Sequence, residues 1–494
     1  HWDHWVEEIP HSFVGTFDWD KGLGNFFDIL GSEGAEDGGV SPYELPTEPF
    51  GGLEELCWNS DGTRIAYSCR KKDGKDYAFS TDTEIYIYNI QSGECVQVPM
   101  GGGYDTAPVW SPDGSKICWI SMERDGYEAD KQRLMVAEID GMKVGTIREL
   151  SAGFKYNVAE PVWDEDSQHI WFNALTEGLQ ALYVTDLKGN ITRKTDEKLW
   201  YDFTTPFFID RVDGREILYT TWQSMDFPTE IVAFNTATQT GTKVTDENGH
   251  ILSQLKEHRT EARMVKTVDG KDMLTWVLYP PEFDQSKEWP AIEICLGGPQ
   301  GTLSQGWSYR WNYRLMCSQG YVVVLPNRRG TTAFGQEWCE QISGDYCGLN
   351  IQDYLCAARE MKAEPYIGKM AACGASYGGY SVYYLCGVHG NVYDAFIAHA
   401  GIFNQEHMYM TTEEMWFPTW DNGGAPWDNN PTARRHYANS PHKLIGNWHT
   451  PLLVIHGGSD FRVPYDQGMA AYNCAQMMGV PSELIVFPSP RQCL

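Results

Sequence analysis

Four stretches of the sequence share one pattern: an aromatic or apolar start, a tight polar turn, and then alternating apolar residues. Three copies, CWNSDGTRIAYS, VWSPDGSKICWI and VWDEDSQHIWFN, carry Trp58, Trp110 and Trp163, which lie 52 and 53 positions apart. The fourth copy, FIDRVDGREILYT, is degenerate. Each copy predicts a strand, a turn and a second strand, and a further hairpin-like stretch follows. About four strands in every ~50 residues is typical of a propeller blade. We therefore predict a β-propeller over residues 1–255, with about four recognisable blades.

From about residue 256 the sequence changes to short apolar runs that alternate with helix-like segments. The runs PAIEICL, YVVVLP, AFIAHA and PLLVIHG each end in a Gly-rich or polar turn. Residues 350–363 have apolar side chains at helical spacing, and Asn350 is the predicted N-cap. Buried strands alternating with helices indicate a mostly parallel, doubly wound sheet covered on both faces. Residues 256–494 are predicted to form this α/β domain.

The segment CGASYGGYSVYYLCG places Ser376 between Gly374 and Gly378, after a predicted strand and before a predicted helix. This is the pattern of the nucleophile elbow in α/β hydrolases, where the turn is too tight for larger flanking residues. The Ser hydroxyl then lies at the N-terminus of the helix, where the helix dipole favours a developing oxyanion. Ser376 is therefore the predicted catalytic nucleophile.

A carboxylate follows in the order expected of a hydrolase triad. Asp460, in LLVIHGGSDFRVP, comes just after a predicted strand and 84 residues after Ser376. A carboxylate at this place can orient a catalytic His and stabilise its charged form. No His follows Asp460 in the sequence, and His456 is interpreted as a packing or turn residue.

Other residues are candidates for binding the substrate. The glycines of CLGGPQG allow backbone N–H groups to approach a carbonyl oxygen, so Gly298 and the N–H of Tyr377 form a predicted oxyanion hole. Arg462, two residues after Asp460, is a candidate for docking a peptide backbone, as is Arg328 or Arg329 in PNRRGTTAFG. Surface arginines without such a role remain the alternative.

The segments HWDHW, SMERDGYEADKQRL, LGGPQG, NRRGTTAFG, GASYGGYSVY and HGGSDFRVP together resemble the prolyl oligopeptidase family of serine peptidases. The resemblance is strongest to its dipeptidyl-peptidase V and acylaminoacyl-peptidase branch, and it covers nearly the whole chain. It implies a β-propeller that caps an α/β-hydrolase domain, with Ser376 as nucleophile and Asp460 as triad acid. It also implies oxyanion N–H groups from Tyr377 and Gly298, a substrate contact from Arg462, and Glu123 as a propeller carboxylate for a free amino terminus.

Two departures from the family pattern affect the expected activity. Family propellers begin well before the HWD segment, and the last strand of the family continues through Phe-Pro and an acidic stretch to the catalytic His. Here Phe487 and Pro488 are followed by Ser-Pro-Arg, and Gln492 stands about where the His is expected. A Gln side chain cannot accept a proton from Ser376 at neutral pH. We therefore expect a chain truncated at both ends, and we expect the chain as written to be inactive.

Composition excludes several classes of partner. Lys+Arg 38 against Asp+Glu 67 gives a net charge of −29, which argues against nucleic acid and anionic membranes. No apolar run is long enough for a membrane span. Thirteen cysteines are scattered rather than paired at Cys-x-x-Cys spacing, so neither a metal site nor a cofactor is predicted. Cys57 and Cys69 flank one predicted hairpin and are candidates for a local disulfide.

These observations predict a serine exopeptidase that releases dipeptides, or acylated amino acids, from the N-terminus of short peptide substrates. One alternative is a non-catalytic peptide-binding protein that has lost its base, and another is a carboxylesterase that shares the elbow. A homodimer is compatible with the sequence. The resemblance favours a periplasmic or secreted location over a cytoplasmic one.

Overall fold

Each copy of the repeated pattern forms an antiparallel hairpin. The computed structural model describes residues 8–48 and 51–488. Its contacts divide the chain into two units: the first contains residues 8–174 and Leu182–Lys194, and the second contains Leu175–Ala181 and the residues from 195 to 488. The predicted division of the chain at residue 255 stays a prediction.

Strands β1–β19 form small antiparallel sheets ordered as the sequence runs. A two-stranded sheet comes first, and four sheets of four or five strands follow it. The strands are β1 Phe13–Asp18, β2 Gly22–Asp28, β3 Leu56–Trp58, β4 Arg64–Cys69, β5 Glu84–Asn89, β6 Cys95–Gln97, β7 Asp105–Trp110, β8 Lys116–Ser121, β9 Arg133–Asp140, β10 Lys143–Glu149, β11 Ala159–Trp163, β12 His169–Thr176, β13 Leu179–Asp186, β14 Ile191–Arg193, β15 Asp202–Phe203, β16 Phe208–Val212, β17 Arg215–Ser224, β18 Phe227–Asn235 and β19 Thr240–Lys243. Helix α1 Gly74–Phe79 lies between β4 and β5, and helix α2 Gly249–Leu252 follows β19.

Within the first unit, sheets β3–β6 and β7–β10 share one hydrophobic cluster that includes Ala66, Ile87, Trp110 and Trp119. The repeated Trp residues are not equivalent, because Trp110 is buried whereas Trp58 is 51% exposed. Cys57 lies opposite Ala66 in the β3–β4 ladder, and both Cys57 and Cys69 are free thiols. The predicted local disulfide is therefore wrong.

The rest of the chain is α/β. Its strands are β20 Arg259–Lys266, β21 Asp272–Tyr279, β22 Trp289–Cys295, β23 Val322–Pro326, β24 Ile367–Ala375, β25 Ala395–His399, β26 Leu452–Gly457 and β27 Ser482–Phe487. Its helices are α3 Tyr313–Ser318, α4 Gln336–Glu340, α5 Leu349–Lys362, α6 Tyr377–Val388, α7 Gln405–Thr411, α8 Trp416–Asp421, α9 Pro431–Ala438 and α10 Asp466–Met477. Short 3-10 turns cover Glu36–Gly38, Leu53–Glu55, Thr332–Phe334 and Pro441–Asn447.

The eight strands form one sheet in the order β20-β21-β23-β22-β24-β25-β26-β27. The ladders from β23 to β27 are parallel, and the two ladders at the β20 end are antiparallel. Apolar strands such as β23, in which all five residues are buried, suit a sheet covered on both faces. The predicted architecture, an α/β-hydrolase domain preceded by propeller-like blades, is confirmed.

Helix α5 matches the prediction in extent but not at its start. Its N-cap is Gly348, and Asn350 lies inside the helix with 1% of its surface exposed. The Asn350 amide donates to the carbonyls of Asp345 and Tyr346, and its Oδ1 accepts from the Tyr377 hydroxyl at 2.7 Å. The predicted N-cap is therefore wrong, because tertiary hydrogen bonds use the Asn350 side chain instead.

Candidate functional site

Ser376 lies at the junction of β24 and α6, in a conformation that residues with a side chain rarely adopt. Its φ is 58° and its ψ is −121°. Two backbone hydrogen bonds hold the turn: Ser376 N–H donates to the His399 carbonyl at 3.0 Å, and Tyr380 N–H donates to the Ser376 carbonyl at 3.0 Å. A strained residue persists only where its surroundings over-determine it, and such residues cluster at functional sites.

The glycines around Ser376 are required by space. A Cβ on Gly374 would lie 2.5 Å from the Gly378 carbonyl oxygen. A Cβ on Gly378 would collide with the carbonyl oxygen of Cys295, and one on Gly379 would collide with the Gly401 backbone. These contacts are with backbone atoms, which cannot swing aside. The packing therefore gives the Gly-x-Ser-x-Gly pattern a physical reason.

Ser376, Tyr377 and Gly298 line one pocket, which we call the Ser376 pocket. Gly298 has a φ of 119°, which favours glycine, and the Gly297 backbone lies beside Ala375 and Ser376. The apolar walls of the Ser376 pocket are formed by Pro299, Ile402, Met408, Phe417, Pro418 and Val463. Tyr377 is the first residue of α6, so its N–H is one of the helix donors that lack a partner within the helix. The structure thus brings together the three residues predicted for nucleophile and oxyanion hole.

Asp460 follows β26 and is buried, with 4% of its surface exposed. Its Oδ1 accepts from the N–H groups of Arg462 at 3.0 Å and Val463 at 2.9 Å. Among the described residues, its Oδ2 has no hydrogen-bond partner. Burial raises the pKa of Asp460 to about 7, although the two backbone N–H groups act in the opposite direction. Two hydrogen bonds thus fix Oδ1, and Oδ2 is available to accept a hydrogen bond from another group.

His456 does not serve as that donor. Its Nε2 lies 3.8 Å from Asp460 Oδ2 but 2.7 Å from the Val463 carbonyl, which it contacts directly. The ring is fully buried, and burial lowers the pKa of His456 to about 4. At neutral pH His456 is therefore uncharged and forms no ion pair with Asp460. Its hydrogen bond supports the interpretation that it shapes the turn.

Arg462 is held by two glutamates that sequence reasoning missed. Its Nε lies 2.7 Å from a Glu413 carboxylate oxygen and 3.1 Å from Glu414. Glu414 also lines the Ser376 pocket. The segment TTEEMW shows two adjacent carboxylates, but nothing in the sequence connects them with Arg462, about fifty residues later. A contact between Arg462 and a substrate carbonyl stays a prediction.

Arg328 and Arg329 do not dock a substrate. Both side chains are fully buried. Arg328 donates to the Tyr354 hydroxyl and the Leu296 carbonyl, and Arg329 pairs with Asp353 at 2.8 Å. The proposed substrate role is wrong for both, because their donors are used to hold the loops at the end of the sheet.

Two other candidates cannot be placed at the site. Glu123 belongs to the first unit, where its side chain is 77% exposed and lies 3.6 Å from Arg133, so its role stays a prediction. Gln492, the position compared with the catalytic His, and the HWDHW segment lie outside the described residues.

A second group missed from sequence supports the pocket wall. Asp421 is buried and accepts hydrogen bonds from Tyr346 at 2.5 Å, Ser343 at 2.8 Å and Gln300 at 3.0 Å. Burial raises the pKa of Asp421. The Tyr346 ring packs edge-on against Tyr377, with their centroids 4.7 Å apart. Asp421 therefore fixes Tyr346, which lines the pocket.

In the part of the chain that the structure describes, no three His, Cys, Asp or Glu side chains are grouped closely enough to hold a metal ion. Within the same residues, no helix is both long enough and apolar enough to cross a membrane.

The sequence of this chain matches one family model and several named relatives. The model of the prolyl oligopeptidase family matches residues 307–491. A dipeptidyl-peptidase 5 from Porphyromonas gingivalis is 47% identical over 494 residues, covering 99% of this chain and 69% of the relative. The dipeptidyl-peptidase 5 of Porphyromonas endodontalis is 45% identical, with the same coverage of both chains.

Solved structures show the same fold at low sequence identity. The acylaminoacyl peptidase of Pyrococcus horikoshii has a TM-score of 0.75 at 20% identity, over 99% of this chain and 73% of that one. Dipeptidyl peptidase 4 of Porphyromonas gingivalis has a TM-score of 0.66 at 15% identity, over 98% and 77% of the two chains.

Proposed function

Because the chain belongs to the prolyl oligopeptidase family of serine peptidases, we propose that it is an exopeptidase that releases dipeptides from the N-terminus of short peptides. Two relatives at 47% and 45% identity, both named dipeptidyl-peptidase 5, support dipeptides as the released unit. Release of acylated amino acids is the related alternative, since a structural neighbour is an acylaminoacyl peptidase.

The observation that carries the proposal is the position of Ser376 in a strained elbow that opens into a pocket. In the proposed reaction, Ser376 Oγ loses its proton to a base and bonds to the scissile carbonyl carbon. The N–H groups of Gly298 and Tyr377 stabilise the oxyanion that forms. The C–N bond then breaks, the amine takes the proton and leaves, and water hydrolyses the acyl-enzyme.

Asp460 is proposed to orient the base. Its buried Oδ2 is well suited to accept an imidazole N–H, because the other oxygen is already fixed by two backbone donors. The 494 residues contain no His after Asp460. Without that base, turnover is expected to fall by about 10⁴- to 10⁶-fold.

Free imidazole provides a test, because it can act as a base in solution beside Ser376 and Asp460. The substrates are a dipeptidyl 4-nitroanilide, an N-acetylated amino acid 4-nitroanilide and a 4-nitrophenyl alkanoate ester. We expect hydrolysis of the dipeptidyl substrate to rise with imidazole concentration, and Ser376→Ala to lack this rise. Hydrolysis of the ester alone, with the same dependence on Ser376, would contradict the peptidase proposal and favour a carboxylesterase.

A peptide-binding protein without catalysis is the second candidate, since the Ser376 pocket is able to hold a peptide side chain whether or not a base acts on Ser376. The same experiment separates the two. Under this alternative, imidazole leaves hydrolysis of every substrate at the background rate, while the peptides still bind.

A further inference from the structure

One polar side chain of the Ser376 pocket has a hydrogen-bond acceptor without a partner among the described residues. Gln405, the first residue of α7, lines the pocket and has 3% of its surface exposed. Its Oε1 has no hydrogen-bond partner among residues 8–48 and 51–488. A buried amide oxygen left without a partner costs free energy, which is recovered when a ligand supplies a donor.

Other polar side chains in the pocket wall are already engaged. Glu414 lies 3.1 Å from Arg462, and the Asn422 amide donates to the Tyr437 hydroxyl at 3.2 Å. The hydroxyl of Tyr346 donates to Asp421, and that of Tyr377 donates to Asn350. Gln405 therefore differs from them, since it lines the pocket and its side-chain oxygen has no partner among the described residues.

Hydrogen bonds fix the backbone around Gln405, so the start of α7 is held beside the pocket. Gln405 N–H donates to the Ser440 hydroxyl at 3.0 Å. The preceding N–H groups of Phe403 and Asn404 both donate to Gln467 Oε1, at 3.0 and 2.8 Å. The Asn404 side chain caps the helix by accepting from the N–H groups of Glu406 and His407. Rotation of α7 away from the pocket would break these bonds.

We infer that Gln405 determines which substrate side chain the Ser376 pocket prefers. Resting on the proposed function, this inference assigns the pocket to the residue that precedes the scissile bond. The apolar walls take the body of that side chain, and Gln405 Oε1 accepts a hydrogen bond from a hydroxyl at its tip. A site built to bond a hydroxyl discriminates against the analogue that lacks it, because the buried acceptor is then left unpaired. Tyr is thus preferred to Phe, or Thr to Val.

Binding of uncleaved tetrapeptides tests this inference, and the measurements are made in the Ser376→Ala background, which cannot form an acyl-enzyme. The ligands are Gly-Phe-Ala-Ala and Gly-Tyr-Ala-Ala, with Gly-Val-Ala-Ala and Gly-Thr-Ala-Ala as a shorter pair, measured by titration calorimetry. We expect the hydroxyl-bearing member of at least one pair to bind about 3- to 10-fold more tightly. In Gln405→Met, which keeps the side-chain length, this preference should disappear. The exposed Gln319→Met is the matched control and should retain it.

Four results would overturn the assignment. One is equal affinity within both pairs, and another is a preference that Gln405→Met retains. Gln405→Met is also expected to raise the melting temperature, because it removes a buried acceptor without a partner, so a lower melting temperature would indicate a structural role instead. If none of the four peptides binds, the proposed function fails as well. Equal affinity or a retained preference overturns only the role of Gln405, so the two kinds of failure are distinguishable.

Discussion

Ser376 combines a φ of 58° with neighbouring glycines that cannot be replaced without collision. A non-glycine residue in such a conformation stores roughly 1–3 kcal/mol of strain. The strained conformation matters for the site, because it places Ser376 in the pocket wall at the start of α6.

Replacing Ser376 with glycine should release this strain. We expect Ser376→Gly to stabilise the protein by about 1 kcal/mol, the strain released less the entropy cost of glycine. Ser376→Ala keeps a Cβ and should leave the melting temperature nearly unchanged, which makes it the matched control. Equal melting temperatures for the two variants would show that the turn is not strained.

Asp460 should make stability depend on pH. Its pKa is raised to about 7 by burial, from about 3.9 in the unfolded chain. The folded protein therefore binds the proton more tightly, and the stability that this provides is lost as pH rises from about 4 to 7.

Asp460→Asn removes this titration while keeping an oxygen for the two backbone donors. The variant should be more stable than the wild type, and its advantage should be about 2 kcal/mol larger at pH 8 than at pH 5. Thermal melting of both proteins at the two pH values measures the difference. An advantage that does not grow with pH would show that Asp460 is not destabilised by burial.

At the scale of elements, the junction of β24 and α6 depends on close approach to β22. Gly378 contacts the Cys295 carbonyl so closely that a Cβ cannot fit. We expect Gly378→Ala to lower stability by about 2–4 kcal/mol, since the backbone must shift to relieve the collision. Gly446, which has open space where a Cβ would be, is the control, and Gly446→Ala should be nearly neutral. Similar melting temperatures for both variants would contradict this account of the elbow.

The elements that sequence predicts well are those whose pattern is local. The hairpins of the four repeats follow from Asp-Gly or Asp-Ser turns and alternation, and the elbow follows from the spacing of Gly374, Ser376 and Gly378. Arg328, Arg329 and Asn350 were assigned incorrectly because their partners are distant in sequence or use the side chain in an unexpected way. The link between Arg462 and Glu413 spans about fifty residues and has no local sign.

The whole molecule carries many acids whose protonated form is favoured by folding. Burial raises the pKa of Glu293 to about 8 and that of Glu55 and Asp105 to about 7. Each is protonated more readily in the folded protein than in the unfolded chain, so each loses its stabilising contribution as pH rises towards these values. The net charge of −29 adds self-repulsion at neutral and alkaline pH.

Buried histidines such as His456, whose pKa is lowered to about 4, act in the opposite direction up to about pH 6.5, where the unfolded chain loses the same proton. We therefore expect the melting temperature to fall between pH 7 and pH 8. Added sodium chloride should recover part of the loss at pH 8, because it screens the surface charges but not the buried acids. Melting curves at both pH values, with and without about 0.5 M salt, separate the two effects. A melting temperature that rises with pH would contradict the assignment of these buried acids.

The most direct test of the central claim is to capture the acyl-enzyme on Ser376. An activated ester, such as a dipeptidyl 4-nitrophenyl ester, can acylate the hydroxyl even when the base is weak. A rapid acid quench stops the hydrolysis of the acyl group, so that peptide mass spectrometry can locate it. We predict a dipeptidyl adduct on the peptide containing Ser376, formed faster with added imidazole and absent in Ser376→Ala. An adduct confined to other residues, or none at Ser376, would contradict the assignment of this site as a serine peptidase centre.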